Sequence, residues 1–167
     1  MTPVSETPEN GLTHLNAAGE AHMVNVAGKD VTERSATAHA FVSISADVIA
    51  LLRSGGMPKG DALSVARIAA ISATKKTSEL IPLCHPIAIH GVDVDLVIQS
   101  EGVEITVTVT TADRTGVEME ALTAASVGAL ALIDMVKGRD RGARIDFVEL
   151  LEKKGGRSGH WTRSGGE

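Results

Sequence analysis

Aromatic side chains are almost missing from this sequence: its 167 residues include two Phe, one Trp and no Tyr. Proteins that hold single-stranded nucleic acid stack bases on aromatic rings, so that class loses its usual platform. A formal net charge of −5 weakens the case further, because nucleic-acid affinity comes largely from neutralising backbone phosphates. Cysteine is scarce too. The single Cys84 cannot form an intramolecular disulfide, fits a reducing compartment, and joins no recognised zinc spacing of histidines. No apolar run is read as reaching the roughly 20 residues that cross a bilayer. The polar segment Met1–Gly11, with Glu6 and Glu9, lacks the basic start and apolar stretch of a secretory signal. These absences predict a soluble, cytoplasmic protein with no nucleic-acid or membrane partner, no metal and no cofactor.

What is present is a hydrophobic fraction of 43%, enough for one packed domain. The polar segment 1–11 and the Gly/Ser/Arg tail 155–167 are expected to be flexible, flanking a single domain over 12–154. Lys137–Glu167 carries eight Lys and Arg against five acids, an excess suited to a small anion or to a solvated surface. Ala36–Ile44 reads as a strand and Asp47–Arg53 as a short helix stopped by Gly55-Gly56. Asp61 is positioned to cap a helix over about 62–77, whose Leu63, Ala66, Ala70 and Ala73 recur at helical spacing. Alternation of Val and Ile with Asp, Glu and Thr predicts strands over 92–98 and 103–110, joined by a tight turn at Ser100-Glu101-Gly102. A long Ala- and Leu-rich helix over 121–137 and a strand over 143–151 complete the order. Strand, helices, two strands, helix, strand is the α+β, ferredoxin-like arrangement: one antiparallel sheet backed by helices. Such a sheet leaves its other face in need of cover, which suggests an oligomer.

Four constellations bear on chemistry. Ile81-Pro82-Leu83-Cys84-His85-Pro86 sets a thiol beside an imidazole in a proline-stiffened junction. Neighbours in an extended segment point to opposite faces, so a Cys84 nucleophile activated by His85 is disfavoured against ligand contact or simple burial. Glu118 and Glu120 share a face if their segment is extended and then make an acid–base pair; if it is helical, they are first-turn acids complementing the dipole. Asp134 and Lys137 are neighbours on one helix face, beside the apolar run from Leu122 to Ile133, and are either a surface ion pair or the border of a partly enclosed space. Lys59, in Pro58-Lys59-Gly60-Asp61, stands before a helix N-terminus, where phosphates bind well, although no Walker pattern is present. Lys75 is an anion contact or a favourable C-terminal helix charge, and Arg34 has no context of its own.

The strings around these residues resemble the MoaC family. They are Leu12-Thr13-His14-Leu15-Asn16 through Gly19-Glu20-Ala21-His22-Met23-Val24, Lys59-Gly60-Asp61, Leu80 to Pro86, and Thr115 to Val127. The resemblance implies a ferredoxin-like synthase that converts 3′,8-cyclo-7,8-dihydro-GTP to cyclic pyranopterin monophosphate with loss of pyrophosphate. It implies Lys59, Asp134 and Lys137 as catalytic residues. It further implies Leu83, Cys84, His85, Met119 and Glu120 lining the substrate site, Glu118 supporting it and Arg34 on phosphate. The assembly implied is a homohexamer, a trimer of dimers, with active sites shared between subunits. If Lys59 and Lys137 reach one site from different subunits, chains lacking each should complement one another. Alternatives are a paralogue that keeps the fold and binds nucleotide without turnover, and a purely structural oligomer. The charged segment Arg139-Asp140-Arg141 departs from the family pattern.

Overall fold

The computed structural model describes residues 14–164, so the expectation for residues 1–11 lies outside the described residues. Five strands form one antiparallel sheet: β1 (Thr32–Ser43), β2 (Gly91–Ile98), β3 (Gly102–Asp113), β4 (Arg144–Lys154) and β5 (Trp161–Thr162), in the order β2-β3-β1-β4-β5. The first four strands stand in the order of a split βαβ unit, the ferredoxin-like arrangement. The helices are α1 (Ala46–Ser54), α2 (Ala62–Thr74), α3 (Thr77–Leu80) and α4 (Glu118–Val136), with α4 packed on β1, β3 and β4 and α2 packed on α4.

Alternation sets the layers. Ala36, Ala38, Ala40 and Val42 of β1 and Val103, Ile105, Val107 and Val109 of β3 are buried under the helices, with Ala40 opposite Ile105. Ala62, Ala66 and Ala70 of α2 meet Ala121, Ala124, Ala125 and Ala129 of α4 in the same core. A Cβ built on Gly128 would stand 3.2 Å from that of Ala70, so the two helices approach closely. Small side chains at every layer let the backbones pack tightly without aromatic rings.

The local signals held. Gly55 takes φ 69° and ends α1, and the Asp61 side chain accepts the Ser64 N–H at 3.0 Å to start α2. Strands β1, β3 and β4 extend three or four residues beyond the expected bounds, and three boundaries differ in kind. The first long helix stops at Thr74 and resumes as α3, where the hydroxyls of Thr74 and Thr77 bond back to the carbonyls of Ile71 (2.8 Å) and Thr74 (3.1 Å). The second begins at Glu118, taking in both acids. In the segment read as a tail, Trp161–Thr162 returns to pair with β4 as β5.

The sheet face away from the helices is mixed: hydrogen-bonded polar side chains lie beside Phe147 and Val97, which stay 39% and 45% exposed, so apolar surface is open on this face as expected. Thr37 and Thr108 share a 2.8 Å hydrogen bond across β1 and β3. His39, between them and β4, meets Glu104 and Glu149 at 2.9 Å on its two ring nitrogens. Apolar surface is also exposed on the helix side. By length and composition α4 would suffice to cross a membrane, which corrects the reading of no such run, but 56% of its apolar window is buried in the core. Its outer side leaves Leu130 57% exposed, and α2 leaves Ile68 65% exposed.

Candidate active site

Two groups of candidate residues form at opposite ends of α4. At its C-terminal end, the turn Pro58-Lys59-Gly60 before α2 brings the Lys59 Nζ to within 3.0 Å of the Asp134 backbone carbonyl, to which it donates. Lys137, one turn on, places its Nζ 2.6 Å from the Asp134 carboxylate. The hydrogen bond from Lys137, then the charges of Lys137 and Lys59, hold the Asp134 carboxyl below the usual carboxylate range. Asp134 thus gathers two amines, Lys137 on its ionised carboxylate and Lys59 on its backbone carbonyl. Lys59, Asp134 and Lys137 all come from a single chain and face solvent, the latter two side chains 61% and 59% exposed; the enclosure expected from the apolar helix is not supplied by this chain. The charged segment after α4 has a structural task, because the Asp140 carboxylate accepts the Ser45 N–H at 2.7 Å and the Gly142 N–H at 2.8 Å, tying the loop to the start of α1.

At the N-terminal end of α4, Leu83, Cys84 and His85 are half-buried in a turn rather than an extended segment, closed by Cys84 N–H donating to the Ile81 carbonyl at 3.0 Å. His85 Nε2 donates to the Val24 carbonyl at 2.7 Å, tying the arm Met23–Ala27 onto the site. Burial, reinforced by the charge of Glu120, pushes the Cys84 thiol up, against a thiolate nucleophile.

Glu118 and Glu120 do not share a face. In the first turn of a helix, residues two apart diverge: Glu118 folds back over Gly116, whereas Glu120 is only 4% exposed. Met119, between them, is 37% exposed. Burial first, opposed by a hydrogen bond from its own backbone and aided by the charge of Glu118, pushes Glu120 up to about 7 from 4.5. A carboxyl so held gives or takes a proton near neutral pH. The same shift predicts a pH signature in stability. The unfolded chain ionises Glu120 near its ordinary value while the folded chain keeps the proton, so stability falls as pH rises from about 4.5 to 7 and levels off above. Glu120→Gln, which mimics the neutral acid, should gain roughly 3 kcal/mol over wild type between pH 4 and pH 8. Denaturant unfolding at both pH values checks this, and an unchanged difference contradicts it.

Beside this end lie two clefts. One, of about 440 Å³, is lined by Met23, Val24, His85, Asp113 and Arg114 among others. The other, of about 530 Å³, is lined by Lys29, Asp30, Arg34, Gly156, Arg157 and Ser158 among others. Arg34 Nε donates to the Asp113 carbonyl at 2.9 Å, so the second cleft adjoins the first. Lys29 and Arg157, which give Arg34 its context, were not singled out from sequence; Gly28-Lys29 and Gly155-Gly156-Arg157 are the local signals. Lys75 caps the C-terminus of α2 and is exposed. Asp134 and Glu120 lie about 21 Å apart along α4 at 1.5 Å per residue, so no single ring system touches both groups in one chain.

The sequence pattern of the MoaC family matches residues 23–156. A cyclic pyranopterin monophosphate synthase of Streptomyces coelicolor is 56% identical over 159 residues, covering 95% of this chain and 94% of that protein. Cyclic pyranopterin monophosphate synthase 2 of Mycobacterium bovis is 55% identical over 152 residues, 91% of each chain. The synthase of Corynebacterium glutamicum is 52% identical over 151 residues, 90% of this chain and 97% of that protein.

Proposed function

The chain belongs to the MoaC family, and we propose that it acts as a cyclic pyranopterin monophosphate synthase. In this reading it converts 3′,8-cyclo-7,8-dihydro-GTP to cyclic pyranopterin monophosphate and pyrophosphate, an early step of molybdenum cofactor biosynthesis. The observation that carries it is the convergence of Lys59 and Lys137 on Asp134. The reaction opens the imidazole portion of a purine, closes a pterin ring and attacks the α-phosphorus with a sugar hydroxyl. It needs proton transfers at ring nitrogens and stabilisation of the departing pyrophosphate, and two amines held at one residue, Lys137 on its carboxylate and Lys59 on its backbone carbonyl, suit both tasks. Leu83, Cys84, His85, Met119 and Glu120 line the ring site, Glu118 supports it, Arg34 takes phosphate and Lys75 is an outlying anion contact.

The enzyme is a cytoplasmic lyase working by general acid–base chemistry without a metal. Among the described residues, no three His, Cys, Asp or Glu side chains group as metal ligands. A second copy completes the site. Support comes from the solvent-facing trio, from the distance along α4 to the ring-lining group, and from the exposed Ile68 and Leu130 near the middle of their helices. A twofold axis over that apolar surface runs α4 against its mate in the opposite direction, bringing one subunit's trio to the other's ring-lining group and covering the surface at once. Such dimers, three to a hexamer, hold shared sites. Turnover of the cyclised GTP by purified protein tests the function, and the rate should persist after exhaustive chelation. The substrate is assayed with and without added Mg²⁺, which binds triphosphates on its own account. A rate abolished by chelation and restored by one metal contradicts the metal-free chemistry.

A further inference from the structure

The loop Gly155–Gly159 takes its shape against Arg34. Gly155 has φ 89° and Gly156 φ 72°, a region side chains rarely enter. A Cβ at Gly155 would strike the Glu33 carbonyl, and one at Gly156 the Arg34 guanidinium. From β4, the Lys153 Nζ donates to the Gly155 carbonyl at 3.4 Å and to the Ser158 hydroxyl, while Gly159 N–H closes a turn on the Gly156 carbonyl at 3.1 Å.

Past the loop the chain returns as β5, two exposed residues long, too short a strand to hold itself. Arg163 holds it. Its backbone N–H donates to the Leu151 carbonyl at 2.8 Å and its Nε to the Leu150 carbonyl at 2.8 Å. Its Nη1 stands 3.3 Å from Glu149 Oε2, and its guanidinium carbon 6.0 Å from the centre of the Trp161 ring. The other oxygen of Glu149 is bonded to His39 in the sheet, and the His39 ring lies 4.8 Å from that of Phe147, so the anchor itself is fixed.

We propose that Arg163 is a positioning residue for substrate binding. By pinning β5 to β4 it holds Gly155–Gly159 over Arg34, so that Gly156, Arg157 and Ser158 form a ready-made wall of the cationic cleft that receives the phosphate chain. Arg163 does not line that cleft. The inference rests on the proposed reading that the substrate carries a triphosphate. Without the guanidinium, the loop keeps Lys153 on one side and, on the other, only the His160–Glu152 contact at 2.7 Å and the two-residue backbone pairing of β5, so the loop is held more loosely and the ligand must order it on binding. The amines at the far end of α4 are untouched, so binding weakens while the chemical step is spared.

In the full-length protein, Arg163→Ala should raise KM for the cyclised GTP about tenfold, with kcat within about twofold of wild type. Calorimetry with inorganic pyrophosphate should show a Kd about tenfold weaker. Arg163→Lys, which keeps a cation opposite Glu149, should recover part of both. An Arg163→Ala protein that melts as wild type and keeps its KM and pyrophosphate Kd overturns the proposal, as does a fall in kcat alone. If Arg163→Ala fails to fold, Arg163→Gln is judged by the same constants. A wild type that does not convert the cyclised GTP contradicts the functional reading, and pyrophosphate affinity still decides the role of Arg163.

Discussion

Lys59→Ala, Asp134→Ala and Lys137→Ala should each lower single-turnover conversion of the cyclised GTP by about 10² to 10⁴, while melting close to wild type. The two halves of this expectation have different origins. Both side chains of the Lys137–Asp134 pair are more than half exposed, and Lys59 contributes one hydrogen bond to a helix carbonyl from an exposed turn. Contacts of that kind add little to folding, because water competes for each partner. Catalysis depends on them differently: a positioned proton donor lost in the transition state is not replaced by bulk water. Asp134→Asn is the finer probe. It keeps the shape and leaves an amide that can accept one bond from Lys137, but removes the charge that pairs with Lys137 while Lys59 keeps its bond to the backbone carbonyl, so binding should survive and conversion fall. A variant at any of the three positions that melts normally and converts substrate at the wild-type rate removes that residue from the mechanism.

What the sequence disclosed about this molecule follows the range over which its forces act. Gly55 and Asp61 act within one turn of chain, and both ended or began a helix where expected. Alternation fixed the faces of β2 and β3, because a strand's side chains keep a period of two whatever the neighbour. The Asp134–Lys137 pair was legible because its partners are one helical turn apart. Long-range pairings were not. The glycines beside Lys29 and Arg157 are local signals, but they do not tell that these residues share one cleft with Arg34, since β1 must bring Arg34 to them. The bonding across the outer sheet face was hidden for the same reason: Thr37 and His39 on β1 look unsatisfied until Thr108, Glu104 and Glu149 arrive from β3 and β4. Glu118 and Glu120 turned on a single decision, extended or helical, and the helix sent one to the core and the other back over Gly116.

Mixing inactive Lys59→Ala chains with inactive Glu120→Ala chains should restore activity, whereas mixing Lys59→Ala with Lys137→Ala should not. The second half corrects the expectation from sequence, which allowed the two lysines to come from different subunits. Lys59 and Lys137 both reach Asp134 within one chain, so either substitution damages the same end of the same subunit and no exchange of partners repairs it. Glu120 sits at the other end of α4, about 21 Å away along the axis. In a twofold dimer with shared sites, a subunit lacking Lys59 still offers an intact Glu120, and one lacking Glu120 offers an intact trio; their hybrid has one wholesome site and one doubly damaged. Random pairing of equal amounts makes half of the dimers hybrids, so about a quarter of the wild-type activity should return. The chains are unfolded and refolded together, or co-expressed, so that subunits exchange. Recovery in both mixtures would place the lysines in different subunits after all. Recovery in neither, with hybrids demonstrated by mass, would mean that each chain carries its own complete site and that the apolar surface around Ile68 and Leu130 serves another purpose.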